Sequence, residues 1–288
     1  MEFTAITTQQ REDFEHDGFL VIPGALPEQM VDRLLAVVDR LYADGMAGEG
    51  MNDRGFWHMR NCLPTDDIFL ELLDWPATVP LIPQLLNHNI QLITSHLVVR
   101  PPIDRDGDSS YGRSGWHRDG GTAPQDLGVS QPRMFIKIAY WLSDISEPER
   151  GAIRLLPESH DTKVELPDSD FEAQEHLAIR CRPGDAVLFE NRTLHSVGPN
   201  FSSITRKSLF FGYGYRWLRP MDYITMPPEL LVRCDPIRRQ LLGDTTGAMA
   251  FQLPEAEDVP LKAWLAGHTG HSVDRAEEIP ALVLGTRR

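Results

Sequence analysis

The sequence predicts a mainly β protein: a core of short strands folded as a sandwich or barrel-like jelly roll, with helices flanking it at both ends. Two observations carry this. From residue 90 to about 217, short β-branched and aromatic runs are separated by Pro-Gly, Gly-Asp and Asn-Arg turn signals. Before residue 90, and again after Pro220, apolar residues recur instead at helical spacing. No repeat, low-complexity tract or linker interrupts the 288 residues. They are read as one domain, 1–288, with the β core at about 90–217 and helical additions at 1–89 and 218–288.

The elements follow in order. Thr7-x-x-Gln10 has the form of a capping box; Gly18 closes the helix it opens, and the apolar run 19–22 stops at Pro23-Gly24. Pro27-Glu28 opens a longer helix in which Met30, Val31, Leu34, Leu35, Val37, Val38, Leu41 and Tyr42 recur at three- and four-residue spacing until Gly45. Helical patches at 67–73 and 79–86 are broken by Pro76, Pro80 and Pro83. Strands are expected at 90–99, 135–142, 152–156, 177–181, 186–189 and 207–213. Helical turns return at 228–233 and 237–242, and the segment from Glu255 on, acidic and then polar, is expected to pack loosely. The loop 101–114 is long, polar and rich in Gly and Asp, as lids often are. Its Asp104-x-Asp106-Gly107-Asp108 lacks calcium-loop spacing and a following bidentate Glu, so it reads as solvated loop.

Composition excludes several functions. Lys plus Arg number 28 against 42 Asp plus Glu, a formal charge of -14, and such a field repels phosphate backbones and anionic lipid. Nucleic acid and membrane partners are therefore not expected. Cys62, Cys181 and Cys234 are scattered and odd in number, which speaks against a disulfide framework or a thiolate zinc site. The N-terminus has no apolar signal region, and no segment reaches the roughly 20 apolar residues of a membrane span. A cytoplasmic protein is expected.

Chemistry requires residues that converge, and the ten histidines are the place to start. His117 and Asp119 follow Trp116 in a strand-like stretch, where residues two apart share a face. His195, at a loop edge after strand 186–189, is the best third member of a two-histidine, one-carboxylate set of the kind that holds non-haem Fe(II). Alone, a His-x-Asp pair is more often a histidine hydrogen-bonded to a carboxylate. Arg206, eleven residues beyond His195, adds weight, because with Ser208 it presents a bidentate cation and a hydroxyl on one strand face, suited to a carboxylate.

These residues lie within stretches whose order resembles the phytanoyl-CoA dioxygenase family of Fe(II)- and 2-oxoglutarate-dependent oxygenases. The stretches are Phe14-Glu-His-Asp-Gly-Phe-Leu-Val-Ile-Pro-Gly24, Trp116-His-Arg-Asp119, Trp141-Leu-Ser-Asp144, Gly151-Ala-Ile-Arg-Leu-Leu-Pro-Glu-Ser-His160, Pro183-Gly-Asp185 and Leu194-His-Ser196 with Arg206. The resemblance covers most of the first 220 residues. It implies a double-stranded β-helix core, His117, Asp119 and His195 as Fe(II) ligands, and 2-oxoglutarate and O₂ as co-substrates. It also implies that Arg206 pairs with the distal carboxylate of 2-oxoglutarate and that Ser208 adds a hydrogen bond.

Lys137 is a lone cation in an apolar strand; pointing inward it needs an anion, for which a 2-oxoglutarate carboxylate is the candidate, and at an edge it would simply snorkel. His160 is expected to structure a turn, and the tail residues His268 and His271 have no assigned role. His96, Arg100, Trp116, Tyr140, Tyr213 and Trp217 are candidates for pocket walls, although aromatics at such positions are usually core. Loops 101–114 and 120–132 are candidate lids. The implied reaction is hydroxylation of an unactivated C–H bond of a small organic molecule, with release of succinate and CO₂; desaturation, ring closure or epoxidation would use the same ligands. Related halogenases lack the carboxylate ligand, so Asp119 disfavours halogenation. With no clustered Lys or Arg near the presumed mouth, a highly anionic CoA ester has little support. The rivals are a cupin-like metal-dependent hydrolase or isomerase that does not use 2-oxoglutarate, and a non-catalytic jelly-roll binding module.

Overall fold

The computed structural model describes residues 1–44, 55–105, 114–121, 126–127, 131–161 and 176–269. Gly45, Asp106 to Asp108, much of both candidate lids and His271 lie outside these residues.

Helix α1 (Thr8–Asp17) starts at the capping box read from the sequence: Thr7 Oγ1 accepts from the Gln10 N–H at 3.1 Å, and Gln10 Oε1 accepts from the Thr7 N–H at 3.0 Å. Gly18 ends it at φ 82°, a left-handed conformation that costs glycine little. Strand β1 (Phe19–Ile22) and helix α2 (Glu28–Ala43) follow. Met30, Val31, Leu34, Val38 and Leu41 form the buried face of α2, while Leu35, Val37 and Tyr42 pack at its edge. Strand β2 (Trp57–Arg60) was not foreseen from the sequence. Helices α3 (Asp67–Leu72), capped by the Asp66 side chain, and α4 (Leu81–Leu85) come next.

The remaining strands are β3 (Ile90–Arg100), β4 (Ser114–His117), β5 (Phe135–Trp141), β6 (Ile153–Leu155), β7 (Leu177–Ile179), β8 (Ala186–Glu190), β9 (His195–Val197) and β10 (Arg206–Tyr215). They form a six-stranded sheet in the order β1-β8-β5-β10-β3-β2 and a four-stranded sheet in the order β4-β9-β6-β7. Every pairing is antiparallel. From β3 to β10 the chain passes back and forth between the two sheets, which is the double-stranded β-helix, or jelly roll.

Both faces of the large sheet are covered, which is why its strands read as continuous apolar runs. On β5, Ile136, Ile138 and Tyr140 face the helical layer, and Ala139 and Trp141 face the small sheet. The same alternation puts Lys137 on the inner face. Tyr140 and Tyr213 belong to the helical-side core, where their hydroxyls bond Thr78 Oγ1 at 2.6 Å and the Leu73 carbonyl at 2.8 Å.

After β10 come α5 (Pro228–Leu231), α6 (Pro236–Leu241) and α7 (Pro260–Thr269). Helix α7 corrects the expectation of loose packing after Glu255. Its Leu261 and Leu265 are buried, and the Leu261 N–H donates to Gln240 Oε1 at 3.0 Å. Trp264 also reaches back to the Met1 carbonyl. Among the described residues, no helix is long and apolar enough to cross a membrane.

Candidate active site

Strand pairing builds the site. His117, the last residue of β4, and His195, the first of β9, are direct cross-strand partners, and their ring centroids are 4.2 Å apart. His195 thus begins a strand rather than lying at a loop edge. Asp119 lies just beyond β4, where its backbone N–H donates to the Asn191 carbonyl at 2.9 Å. One ligand atom from each of His117, Asp119 and His195 falls within 4.8 Å of the others.

Hydrogen bonding determines which atoms face inward. His117 Nδ1 lies 2.9 Å from the Gly115 carbonyl and His195 Nδ1 lies 3.0 Å from the Thr193 carbonyl, so each Nδ1 carries the proton and each Nε2 keeps its lone pair. Burial drives the His195 imidazole down to about 4, against the opposing pull of Asp119, and this keeps it neutral. Burial also pushes the Asp119 carboxyl up, but Lys137, His195 and His117 outweigh it and hold the group below the usual carboxylate range. Lys137 Nζ bonds Asp119 Oδ1 at 2.8 Å, while Oδ2 is buried with no hydrogen-bond partner among the described residues. Two imidazole lone pairs and one orphaned carboxylate oxygen converging on a point fit a divalent metal with open positions.

Lys137 therefore points inward as one reading required, but the anion it meets is Asp119. The residue is 9% exposed, and snorkelling is ruled out by that burial.

The cluster of His117, Asp119 and His195 opens onto a cavity of about 630 Å³ between the sheets. Arg206 also lines it, 1% exposed, on the same face of β10 as Ser208, to which its Nη2 donates at 3.4 Å. Nε and Nη1 of Arg206 have no hydrogen-bond partner among the described residues. The guanidinium stacks 4.7 Å from the Trp141 ring centroid. Burial and the neighbouring Arg100 depress its pKa, the situation of a cation lacking its anion.

His96 and Arg100 line this cavity as foreseen, joined by Phe56, His58, Arg60 and Phe210, which sequence reasoning did not single out. The one available signal was the alternation in β2: Trp57 and Met59 pack on the helical side, so His58 and Arg60 face the other way. The sequence showed no cluster of cations near the mouth, yet folding brings Arg60, Arg100, Lys137 and Arg206 to one cavity. Trp116 stacks with His176 and Arg154 instead, and Trp217 is exposed beside a separate cavity. His160 bonds the Glu15 carbonyl at the turn after β6, and His268 stacks on Phe3.

Comparison with known proteins agrees with this geometry. The dioxygenase olcK of Penicillium canescens is 23% identical over 270 residues, covering 88% of this chain and 86% of its own. The ectoine dioxygenase of Stutzerimonas stutzeri is 24% identical over 246 residues, covering 75% and 79%. Among solved structures, HygX from Streptomyces hygroscopicus with nickel and 2-oxoglutarate bound superposes with a TM-score of 0.59 at 21% identity, covering 75% of this chain and 89% of its own. The epimerase SnoN from nogalamycin biosynthesis, in complex with Fe³⁺, alpha ketoglutarate and a nogalamycin compound, gives 0.58 at 20%, covering 76% and 89%. At such identities the superpositions speak for the jelly roll alone. The phytanoyl-CoA dioxygenase (PhyH) family model, however, matches residues 14–208, a span that holds His117, Asp119, His195, Arg206 and Ser208, and the chain belongs to that family.

Proposed function

We propose that the protein is an Fe(II)- and 2-oxoglutarate-dependent dioxygenase that hydroxylates an unactivated C–H bond of a small organic molecule. The observation that carries this reading is Arg206: a buried guanidinium with two unpartnered nitrogens, in the same cavity as a three-ligand metal cluster. The hydrolase rival assigns this cation no ligand, whereas a 2-oxo diacid needs one at its distal carboxylate.

In this reading His117, Asp119 and His195 hold the metal, and Arg206 and Ser208 hold the distal carboxylate. Iron and the 2-oxo acid together supply the oxidising chemistry, in which O₂ converts 2-oxoglutarate to succinate and CO₂ and one oxygen atom enters the substrate. The chain's own residues bind and orient. Lys137 turns Asp119 so that a single oxygen faces the metal position. Phe189, Phe210 and Val98 line the cavity with apolar surface and limit water around the reacting carbon. SnoN, an epimerase, has the same fold, so the choice of hydroxylation rests on the dioxygenase relatives, and Asp119 speaks only against halogenation.

The test is an anaerobic titration of metal-free protein with Fe(II) and 2-oxoglutarate, following the weak visible band of a chelated 2-oxo acid. The band is expected in the wild type and absent in His195→Ala. Iron binding without a band would sink the reading and favour the hydrolase or isomerase rival.

A further inference from the structure

We propose that the substrate carries a carboxylate, and that Arg60, with the imidazoles of His58 and His96, binds it on the wall formed by β2 and β3. The inference rests on the oxygenase reading above and goes on to name the substrate class.

The argument is one of charge and geometry. In the loaded site, a divalent metal and a dianionic 2-oxo diacid cancel in charge, and Lys137 is already matched by Asp119. Arg206 is committed to the co-substrate. Arg100 stacks on the Phe56 ring at 4.8 Å and has a partner of its own, and Arg60 is the remaining cation of the cavity wall. It lines the cavity, is exposed at its mouth, and forms no ion pair among the described residues. The acid whose field it modifies, Asp222, is held through Oδ2, which accepts from Thr94 Oγ1 at 2.8 Å and from the N–H groups of Ser95 and Asn61 at 2.9 and 3.1 Å, while its Oδ1 has no hydrogen-bond partner among the described residues.

The β2–β3 register makes Arg60 the direct partner of His96 and places His58 opposite Val98, so all three polar side chains lie on one patch of the inner face. The His58 and His96 ring centroids are 4.8 Å apart. His58 Nε2 is buried without a hydrogen-bond partner among the described residues, which leaves it able to bond a ligand. Phe56 and Phe210 flank the patch, the latter stacked on His96 at 4.8 Å, and supply an apolar seat for the substrate's body. A carboxylate needs one cation, one or two donors and a desolvated surround, and this wall provides them. In a chain of formal charge -14, a cationic mouth also draws anions to the one place where they are useful.

The experiment uses the anaerobic Fe(II) protein with saturating 2-oxoglutarate, so that Arg206 is filled and cannot capture the probes. Three acids, 3-phenylpropionate, benzoate and hexanoate, are compared with their primary amides by equilibrium dialysis. At least one acid is expected to bind about tenfold or more tightly than its amide, as a charge-assisted contact implies. The preference is expected to fall below roughly threefold in Arg60→Gln and to persist in part in Arg60→Lys, with the visible 2-oxo acid band intact in both. Amides that bind as well as acids, no binding of any acid, or an undiminished preference in Arg60→Gln would each overturn the proposal. Failure of the oxygenase reading is distinguishable, because then the wild type shows no band before any probe is added.

Discussion

Arg206 is a test of how the cavity divides its free energy between stability and function. Replacing it with Met keeps most of the volume and removes the charge. The native guanidinium is 1% exposed, its Nε and Nη1 are unpartnered, its one bond is a long 3.4 Å contact to Ser208, and Arg100 is its cross-strand neighbour. Unmet buried donors cost about 1–3 kcal/mol each, and the Trp141 contact returns about 1–2 kcal/mol. Arg206→Met is therefore expected to stabilise the protein by about 1–3 kcal/mol in the absence of ligands, a rise in melting temperature of roughly 3–6 °C for a chain of this size.

With 2-oxoglutarate the sign reverses. Truncating one partner of a buried charge pair costs about 3–4 kcal/mol, or roughly a hundred- to a thousandfold in affinity. The assay pairs differential scanning fluorimetry of metal-free protein with the anaerobic Fe(II) titration. The expected pattern is a higher melting temperature alone, a lost visible band at ordinary 2-oxoglutarate, and no thermal protection by the co-substrate. A variant that melts lower than wild type and still binds 2-oxoglutarate within threefold would refute both halves of the argument.

Two further outcomes follow from buried charges. Asp119→Ala leaves Lys137, 9% exposed, without its anion, so a loss of about 3–5 kcal/mol is expected in urea denaturation together with loss of bound iron by metal analysis; adding Lys137→Met should restore stability but not metal. His58 is held down to about 4, first by burial and then by Arg60 and Arg100, so the unfolded chain takes up its proton near 6.5 and the folded chain does not. Its contribution is complete above pH 6.5 and is lost as pH falls from there towards 4, worth about 3 kcal/mol in all; His58→Phe should flatten that part of the stability profile, measured by denaturant melts across the range.

How much of this was legible depended on how many faces of an element are buried. Strands 90–99, 135–142 and 207–213 are covered on both sides, so their apolar runs stood out, and the structure moves each of their ends by no more than two residues. Strand β2 faces the cavity with His58 and Arg60, and four residues that alternate with charge look like loop. β4 and β9 are short, and β9 was mistaken for a loop edge. Helix α7 was lost because only Leu261 and Leu265 are buried on a segment set among acidic and polar residues. In the site, His117, Asp119, His195 and Arg206 were readable because their spacing and order are local or matched a family pattern. His96 and Arg100 could be singled out as wall candidates on their long strand, but His58 and Arg60 could not, since only the β2–β3 register brings them to the same wall.

The same register logic explains how the proposed ligand set, His117, Asp119 and His195, is held in its geometry by the protein alone. Each histidine donates to the carbonyl two residues upstream in its own chain, so one local device aims both Nε2 atoms, and the pairing of β4 with β9 fixes their separation. The third ligand hangs on Asn191, fully buried at the end of β8. Its carbonyl accepts from the Asp119 N–H, and its Oδ1 accepts from the Met134 N–H at 2.8 Å as the chain enters β5. β5 in turn carries Lys137, which binds the side chain of Asp119. Asp119 is thus gripped by its backbone through Asn191 and by its carboxylate through Lys137, and both grips lead back to the β5–β8 pair. The small sheet supplies the imidazoles and the large sheet supplies the restraint on the carboxylate. A metal centre built this way depends on closure of the two sheets on each other more than on any single loop.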